Sequence, residues 1–379
     1  MGARGRFRVG LSLIGVLVYA APLALAARQV SAAPSPPWYE AITVNGFVSS
    51  SYSYNFNRPP SRLNGFRVFD FDDNSFKVDV AELVLQKPTP KVGDAGFRVD
   101  VAAGGSIPRV SAAAGLFRDS GGVAQDIDLQ QAYVGYLANA GRGLRLDFGK
   151  FVTHHGYEVI DGYDGWNDNV TRSFLFGFAI PFTHTGIRAA YAFSDRVSTT
   201  VMVVNGWDVA TDNNRQKSAG AQLTLTPAAE WTVILNGMYG AERPDDSGDA
   251  RAMLDLVAMW KPAGSVSLGL NLDHGSEVNA VLAGENARWD GVAAYARLGI
   301  TGRVSFVGRA EHFGDWDGAR TGASQRLSEI TLTPEFRPAR GLLIRGDLRF
   351  DHSDHAVFEA RRGPKQDQAT AIASVLFAF

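Results

Sequence analysis

The chain has 379 residues, a formal charge of −2 and no cysteine. The near-neutral balance excludes an electrostatic nucleic-acid binder, and the missing cysteines exclude a disulfide scaffold. Beyond the first residues no window approaches the roughly 18 uninterrupted apolar residues of a transmembrane helix, which excludes a helical membrane protein.

From the amino terminus, Arg4, Arg6 and Arg8 precede an apolar run, Val9 to Ala21, and the small-residue sequences Ala24–Ala26 and Val30–Ala33. This pattern predicts a secretory signal peptide over residues 1–33, cleaved after Ala26 or Ala33. Loss of Arg4, Arg6, Arg8 and Arg28 leaves a formal charge of about −6. An exported chain without disulfides needs another source of rigidity, and a closed hydrogen-bond ladder is one. Residues 34–41 read as a periplasmic spacer and 42–379 as a single barrel domain.

The first strand, 42–56, puts Ile42, Val44, Val48, Tyr52, Tyr54 and Phe56 on one face. Thr43, Asn45, Ser49, Ser51, Ser53 and Asn55 share the other, a period of two. The same alternation predicts strands at 76–86, 97–103, 127–136, 144–151, 185–193, 197–206, 217–226, 231–240, 251–260, 265–274, 291–300, 303–312, 326–336, 342–351 and 368–379, sixteen in all. Two of them, 76–86 and 127–136, change phase midway, as a β-bulge would cause. Connections alternate between short turns rich in Pro and Gly, such as 194–196 and 301–302, and long loops, such as 57–74, 104–126 and 152–184. Turns on one rim and loops on the other describe an up-and-down antiparallel transmembrane β-barrel.

The better-phased strands keep charge off one face. Leu342, Ile344, Leu348 and Phe350 alternate with Arg345, Asp347, Arg349 and Asp351, so the charged row is expected to face the lumen. Trp231 and Trp260 beside short turns, with Trp207 and Trp289 near the loop rim, suit aromatic girdles at the two interfaces. A further alternation, Phe174, Phe176, Phe178 and Ile180, falls inside segment 152–184 and is left out of the wall, because an odd strand count would place the chain ends on opposite rims.

The third long connection, 152–184, carries Glu158, Asp161, Asp164, Asp168 and Arg172, with His154, His155 and His184 at its two ends. Its length and apolar stretch predict that it folds into the lumen, presenting carboxylates toward wall residues such as Arg145 and Arg188. With Asp147, Arg309, Glu311, Arg345, Asp347 and Arg349 these form the expected pore-lining or constriction set. Inward charges of both signs nearly cancel, which leaves selectivity to the loop. Adjacent histidines on an extended segment point opposite ways, so at most two of the three imidazoles are expected to converge, and no metal or other cofactor is expected. Asp351, His352, Ser353, Asp354 and His355 hold the letters of a hydrolase triad, but lie too close together in one loop for its geometry.

The last strand places Ala371, Ala373, Val375, Phe377 and Phe379 on the face expected to meet lipid. Together with the export signal, it resembles the assembly signal of bacterial outer-membrane barrels. The central stretch resembles the OmpL-like family of outer-membrane β-barrel porins. The resemblance is carried by Ala132–Tyr136, Leu146–Phe151, Gly156–Glu158, Asn167–Ser173, Pro181–Tyr191 and Val204–Asp208 followed by Asp212, Asn213 and Asn214, between about residues 125 and 230. It implies a bacterial outer-membrane channel for passive diffusion of small hydrophilic solutes or ions, with no catalytic residues. Expected partners are outer-membrane lipids, the solutes, and the barrel-assembly machinery through the last strand. Porins of this size often trimerise, which makes a homotrimer an expectation, although no face of the sequence marks itself as an interface. The competing readings are an outer-membrane barrel enzyme, lipase or protease, and a secreted soluble all-β binding protein.

Overall fold

Period-two alternation over 8 to 15 residues yields sixteen antiparallel strands: β1 (Thr43–Asn55), β2 (Ser75–Lys87), β3 (Ala95–Ala103), β4 (Ile127–Ala138), β5 (Leu144–Val152), β6 (Thr183–Ala192), β7 (Val197–Val204), β8 (Ser218–Leu225), β9 (Trp231–Ala241), β10 (Ala250–Ala263), β11 (Val266–Glu277), β12 (Ala287–Gly299), β13 (Val304–Asp315), β14 (Gln325–Ala339), β15 (Leu342–Ser353) and β16 (Asp367–Ala378). Each pairs with its sequence neighbours, and β1 pairs with β16, so the sheet closes into a barrel. Closure satisfies every strand on both edges, which a wall in hydrocarbon requires. This computed structural model describes residues 37–107, 111, 115–281 and 284–379; the expected signal peptide, 1–33, lies outside the described residues. Trp38–Ala41 form one 3₁₀ turn that belongs to a unit separate from 42–379. Among the described residues no helix is long and apolar enough to cross a membrane.

The two faces of the wall differ as the alternation requires. Phe148, Leu348 and Phe350 stand outward at 69%, 49% and 55% exposure, whereas Asp347, Arg349 and Asp351 are at most 2% exposed. Outward exposure of apolar side chains on a closed sheet is the signature of a lipid-facing surface. In the last strand Ala373, Val375, Phe377 and Phe379 are exposed and Ala371 is half-buried, while Ile372 and Leu376 are buried.

Both expected bulges are present. Ser49 pairs Val80 while Ser50 pairs Val78, so Asp79 is the extra residue of β2; Asp100 pairs Gln131 while Val101 pairs Leu129, so Gln130 is the extra residue of β4. Two further irregularities, at Trp260–Ala263 in β10 and Phe336–Ala339 in β14, sit beside short turns. The alternation Phe174–Ile180 is not a strand: Leu175–Ala179 form one π-helical turn within segment 152–184.

The tryptophans divide differently from the expectation. Trp231 and Trp260 stack outward beside the turns, 5.4 Å apart. Trp207 and Trp289 do not join a girdle. They are buried at 6% and 0% and meet edge to face, 6.3 Å apart. Gly275 is the reason for Trp289, because a Cβ there would lie 2.1 Å from the indole. The two rings join Phe151, Phe174, Phe176, Phe182, Phe313 and Phe358 in a buried apolar cluster within the chain's charged side.

Gly46 closes the barrel. Its N–H and C=O each bond Phe379 at 3.0 Å, and the Phe379 ring lies so close that a Cβ on Gly46 would sit 2.3 Å from it. Replacing Gly46 with leucine should therefore cost about 1–3 kcal/mol of overpacking at the seam. The expected result is a lower temperature for loss of the fast-migrating folded band in gel electrophoresis without boiling; an unchanged transition would contradict this packing.

Candidate functional site

The charged face of the wall and segment 152–184 are built as one network. Arg309 of β13 is its centre. Its Nε donates to Glu329 at 2.7 Å, and Nη1 donates to Glu158 at 2.6 Å and to the Thr171 carbonyl at 2.7 Å. Glu158 also accepts from the Ser173 N–H at 2.9 Å, so one carboxylate ties the descending and returning halves of the segment to the wall. Glu311 accepts the N–H groups of Phe174 and Leu175 at 2.6 and 3.1 Å, placing negative charge at the start of the π turn. Asp347 receives the Thr171 N–H and hydroxyl at 2.8 and 2.9 Å. Arg349 donates to the Arg172 carbonyl and to Asp351, the latter at 2.7 Å, and its guanidinium lies 4.6 Å over the Phe174 ring.

The segment's remaining charges reach other parts of the wall. Asp161 pairs with Arg172 at 2.7 Å and Arg345 at 3.6 Å; Asp164 pairs with Arg98, and Asp168 with Arg297, each at 2.5 Å. Burial pushes the Asp168 carboxyl above its ordinary range, with Arg297 acting against that. The acidic residues therefore do not face Arg145 and Arg188, as expected from sequence. Those two arginines converge on Asp147, at 3.0 and 2.9 Å, along the wall itself. Register explains it: Asp147 and Arg188 are direct cross-strand partners.

The histidines also depart from the alternation rule. His154 and His155 stack, 4.5 Å between ring centroids, and His184 lies 6.0 Å from His155. Residues 153–158 have left the strand, so neighbours no longer point to opposite faces. Thr153 joins the group, its hydroxyl within 3.0 Å of His155 Nδ1 and 3.2 Å of His184 Nε2. Burial, helped by His184 and Arg188, pushes His154 down to about 3; burial and the neighbouring imidazoles push His155 well below its ordinary value. Among the described residues no group of three His, Asp or Glu has the geometry to hold a metal ion.

The residues that spell a hydrolase triad do not assemble one. Ser353 donates its hydroxyl to Gln325 at 2.9 Å, His352 pairs with Asp367, and His355 with Asp354.

Several anchors were missed by sequence reasoning. Glu82 accepts the Tyr163 N–H at 3.0 Å, but the bulge at Asp79 shifts β2 by one residue and hides its inward phase. Asp255 and Asn271 receive the N–H groups of Gly156 and Tyr157 at 3.1 and 2.9 Å. Arg67, on the first long loop, pairs with Asp351 at 2.5 Å. Near the turn rim Phe47, Leu343 and Leu376 face inward and pack against Tyr163 and Trp166. Arg98, Arg297 and Asp255 lie on the inward phase of their strands, but nothing in the sequence marks them as partners of the segment.

The network covers the wall unevenly. Arg309 and Arg349 side chains are fully buried, whereas Arg145 keeps 38% and Arg188 20% of its side chain exposed. A cavity of about 50 Å³ remains between the segment and β1, β2 and β4, lined among others by Ser51, Asp79, Asp128, Asp161, Arg172 and Arg345.

Architecture of this kind has solved counterparts. The outer-membrane channel DcaP of Acinetobacter baumannii superposes with a TM-score of 0.60 at 11% identity, over 89% of this chain and 97% of that one. An anion-selective porin from Comamonas acidovorans gives 0.58 at 12%, over 89% and 99%. OmpT of Vibrio cholerae, in its trimer form, gives 0.59 at 10%, over 89% and 99%. At these identities the likeness establishes the fold. No curated protein matches the sequence. The family model described as "Putative beta-barrel porin-2, OmpL-like" matches residues 41–379, and the chain belongs to that family of outer-membrane β-barrels.

Proposed function

We propose that the protein is an outer-membrane porin, a narrow channel for passive diffusion of small hydrophilic solutes or ions, constricted by segment 152–184 inside the lumen. The observation that carries this reading is the uneven coverage of the charged face. The segment's carboxylates neutralise Arg98, Arg297, Arg309 and Arg345, while Arg145 and Arg188, paired with the buried Asp147, keep part of their side chains solvent-reachable. A polar solute would follow the wall of β5 to β8, past Arg145, Arg188, Thr200 and Gln222, all half-buried. Two arginines on one carboxylate leave this stretch locally cationic, which favours solutes bearing negative charge. Residues 1–33 serve as the cleaved signal, and the last strand presents Ala371, Ala373, Val375, Phe377 and Phe379 to lipid and to the assembly machinery. A homotrimer is consistent with the trimer form of the OmpT structure.

Reconstitution into planar bilayers tests the reading: stepwise conductance is expected, and a protein that inserts without conducting would overturn it. Deleting residues 166–178 should raise single-channel conductance several-fold; an equal value would mean that the segment does not limit the path.

Replacing Arg309 with methionine leaves Glu158 buried without its cation and Glu329 with Arg349 alone, 3.5 Å away. Breaking such a pair costs about 3–5 kcal/mol. The urea midpoint should fall and current noise should rise, and a variant with both unchanged would show that the segment is held by other contacts.

Acid should loosen the root of the segment. His154 titrates at about 3 in the folded chain, against 6.5 ordinarily, so the unfolded state takes up protons first as pH falls. The stability contributed above pH 6.5 is lost progressively toward pH 3. Channel noise should increase between those values in the parent and stay flat in a His154→Gln, His155→Gln variant; identical pH profiles would contradict the assignment.

A further inference from the structure

Methionine is scarce in this chain, and most of it lies together. Of five methionines, Met1 begins the expected signal and the other four fall on β7, β9 and β10. Three of them share one row of the wall. Register sets Met202 opposite Gly220, Gly220 opposite Met238, and Met238 opposite Met253, and the three side chains face inward, 2–5% exposed. Gly220 opens the row. A Cβ there would lie 2.3 Å from Met202 Cε and 3.4 Å from its Sδ, so the Met202 thioether lies over the strand that separates it from Met238. Met238 and Met253 are direct cross-strand partners, the closest side-chain neighbours a sheet provides.

An imidazole reaches the same place. The chain leaving β5 passes over β8 to β10: the His154 carbonyl accepts from Gln222 at 3.2 Å, and the Gly156 N–H donates to Asp255 at 3.1 Å. Between them His155 is 1% exposed, with Nδ1 set 3.0 Å from the Thr153 hydroxyl. Its ring lies beside the backbone of Gly237, the residue before Met238, and its Nε2 has no hydrogen-bond partner. Neither ring nitrogen of the stacked His154 has one either. Buried nitrogens left unmet in this way cost stability that a bound ligand would restore.

The charged side chains nearest in register do not oppose a positive ion. Arg188, opposite Met202, is held by Asp147, and Arg251, two residues from Met253, by Glu277. Asp255, two residues to the other side, accepts from Asn236, Asn271 and the Gly156 N–H, all neutral donors. Arg320, farther along, is taken up by the Trp207 and Trp289 rings and the Phe178 carbonyl.

We propose that Met202, Met238, Met253 and His155 bind one soft monovalent cation, Cu(I) or its redox-inert analogue Ag(I). Thioether sulfur with neutral imidazole is a donor set that soft ions select, whereas Na⁺, Mg²⁺ and Ca²⁺ prefer oxygen. The chain has no thiolate to compete for the ion. Methionine's unbranched side chain lets the sulfurs close on an ion without moving the wall. The inference does not depend on whether the barrel conducts.

Purified folded protein in neutral detergent and chloride-free buffer would be titrated at neutral pH with Ag(I) and, separately, with Zn(II), and bound metal counted by native mass spectrometry. The parent should retain a single Ag(I) in preference to Zn(II). A variant combining Met202→Leu, Met238→Leu and Met253→Leu, close to the parent in core volume, should bind Ag(I) at least about tenfold more weakly. His155→Gln should weaken binding as well, and Met259→Leu, at a half-buried position nearer the turn rim, should leave it unchanged. No Ag(I) on the parent, equal retention of Zn(II), undiminished binding in the triple variant or in His155→Gln, or loss with Met259→Leu alone would each overturn the proposal. X-ray absorption of the Ag(I)-loaded parent should show sulfur around the ion; a shell of nitrogen and oxygen alone would overturn the proposal even if the triple variant does not fold.

Discussion

The guanidinium of Arg309 is the group on which the interior depends. A charge removed from water inside a barrel must be met by partners or the wall will not tolerate it. Two carboxylates and a carbonyl meet this one, and one of those carboxylates, Glu158, belongs to a chain segment rather than to the wall. Arg349 repeats the device with the Arg172 carbonyl. The wall thus requires segment 152–184 to be where it is, and the segment, short of secondary structure of its own, requires the wall. Neither would be stable alone in the observed form.

That mutual requirement has a functional side. A channel loop held only by apolar contacts could repack in many ways. One held by carboxylates at Arg98, Arg297, Arg309 and Arg345, and by backbone N–H groups on Glu82, Glu311, Asp255 and Asp347, has a single arrangement that satisfies all of them. In the proposed channel the solute path runs on the side where Arg145 and Arg188, both partly exposed, converge on Asp147. The buried rings Trp207 and Trp289, interleaved with Arg251 and Arg320, pack together near the long-loop ends of β7, β10 and β12.

Much of the wall was legible in the sequence because its signal is redundant. Sixteen period-two alternations agree with fifteen connections that alternate between short turn and long loop, and even the bulges at Asp79 and Gln130 left a phase change to read. The interior was less legible. Alternation says that Arg145 and Arg188 point inward but not that they share Asp147, since that depends on the pairing register of β5 with β6. Outside strands it fails altogether: His154 and His155 were expected to diverge and instead stack. Glu82 was hidden by the same bulge that the phase change revealed. Trp289 was placed in a girdle from its position near a rim, when the absence of a side chain at Gly275, on the neighbouring strand, decides its direction.

The absence of cysteine allows the central claim, acyl chains against the uncharged face and water along the charged one, to be tested one position at a time. Single cysteines would be placed at Arg188, inward and partly exposed, and at Leu348, outward, and the channels treated with a charged thiol reagent during conductance recording in a bilayer. The Arg188→Cys channel should be modified and its current stepped down, while the Leu348→Cys channel stays unmodified. Rapid modification at position 348 together with an inert position 188 would contradict the account.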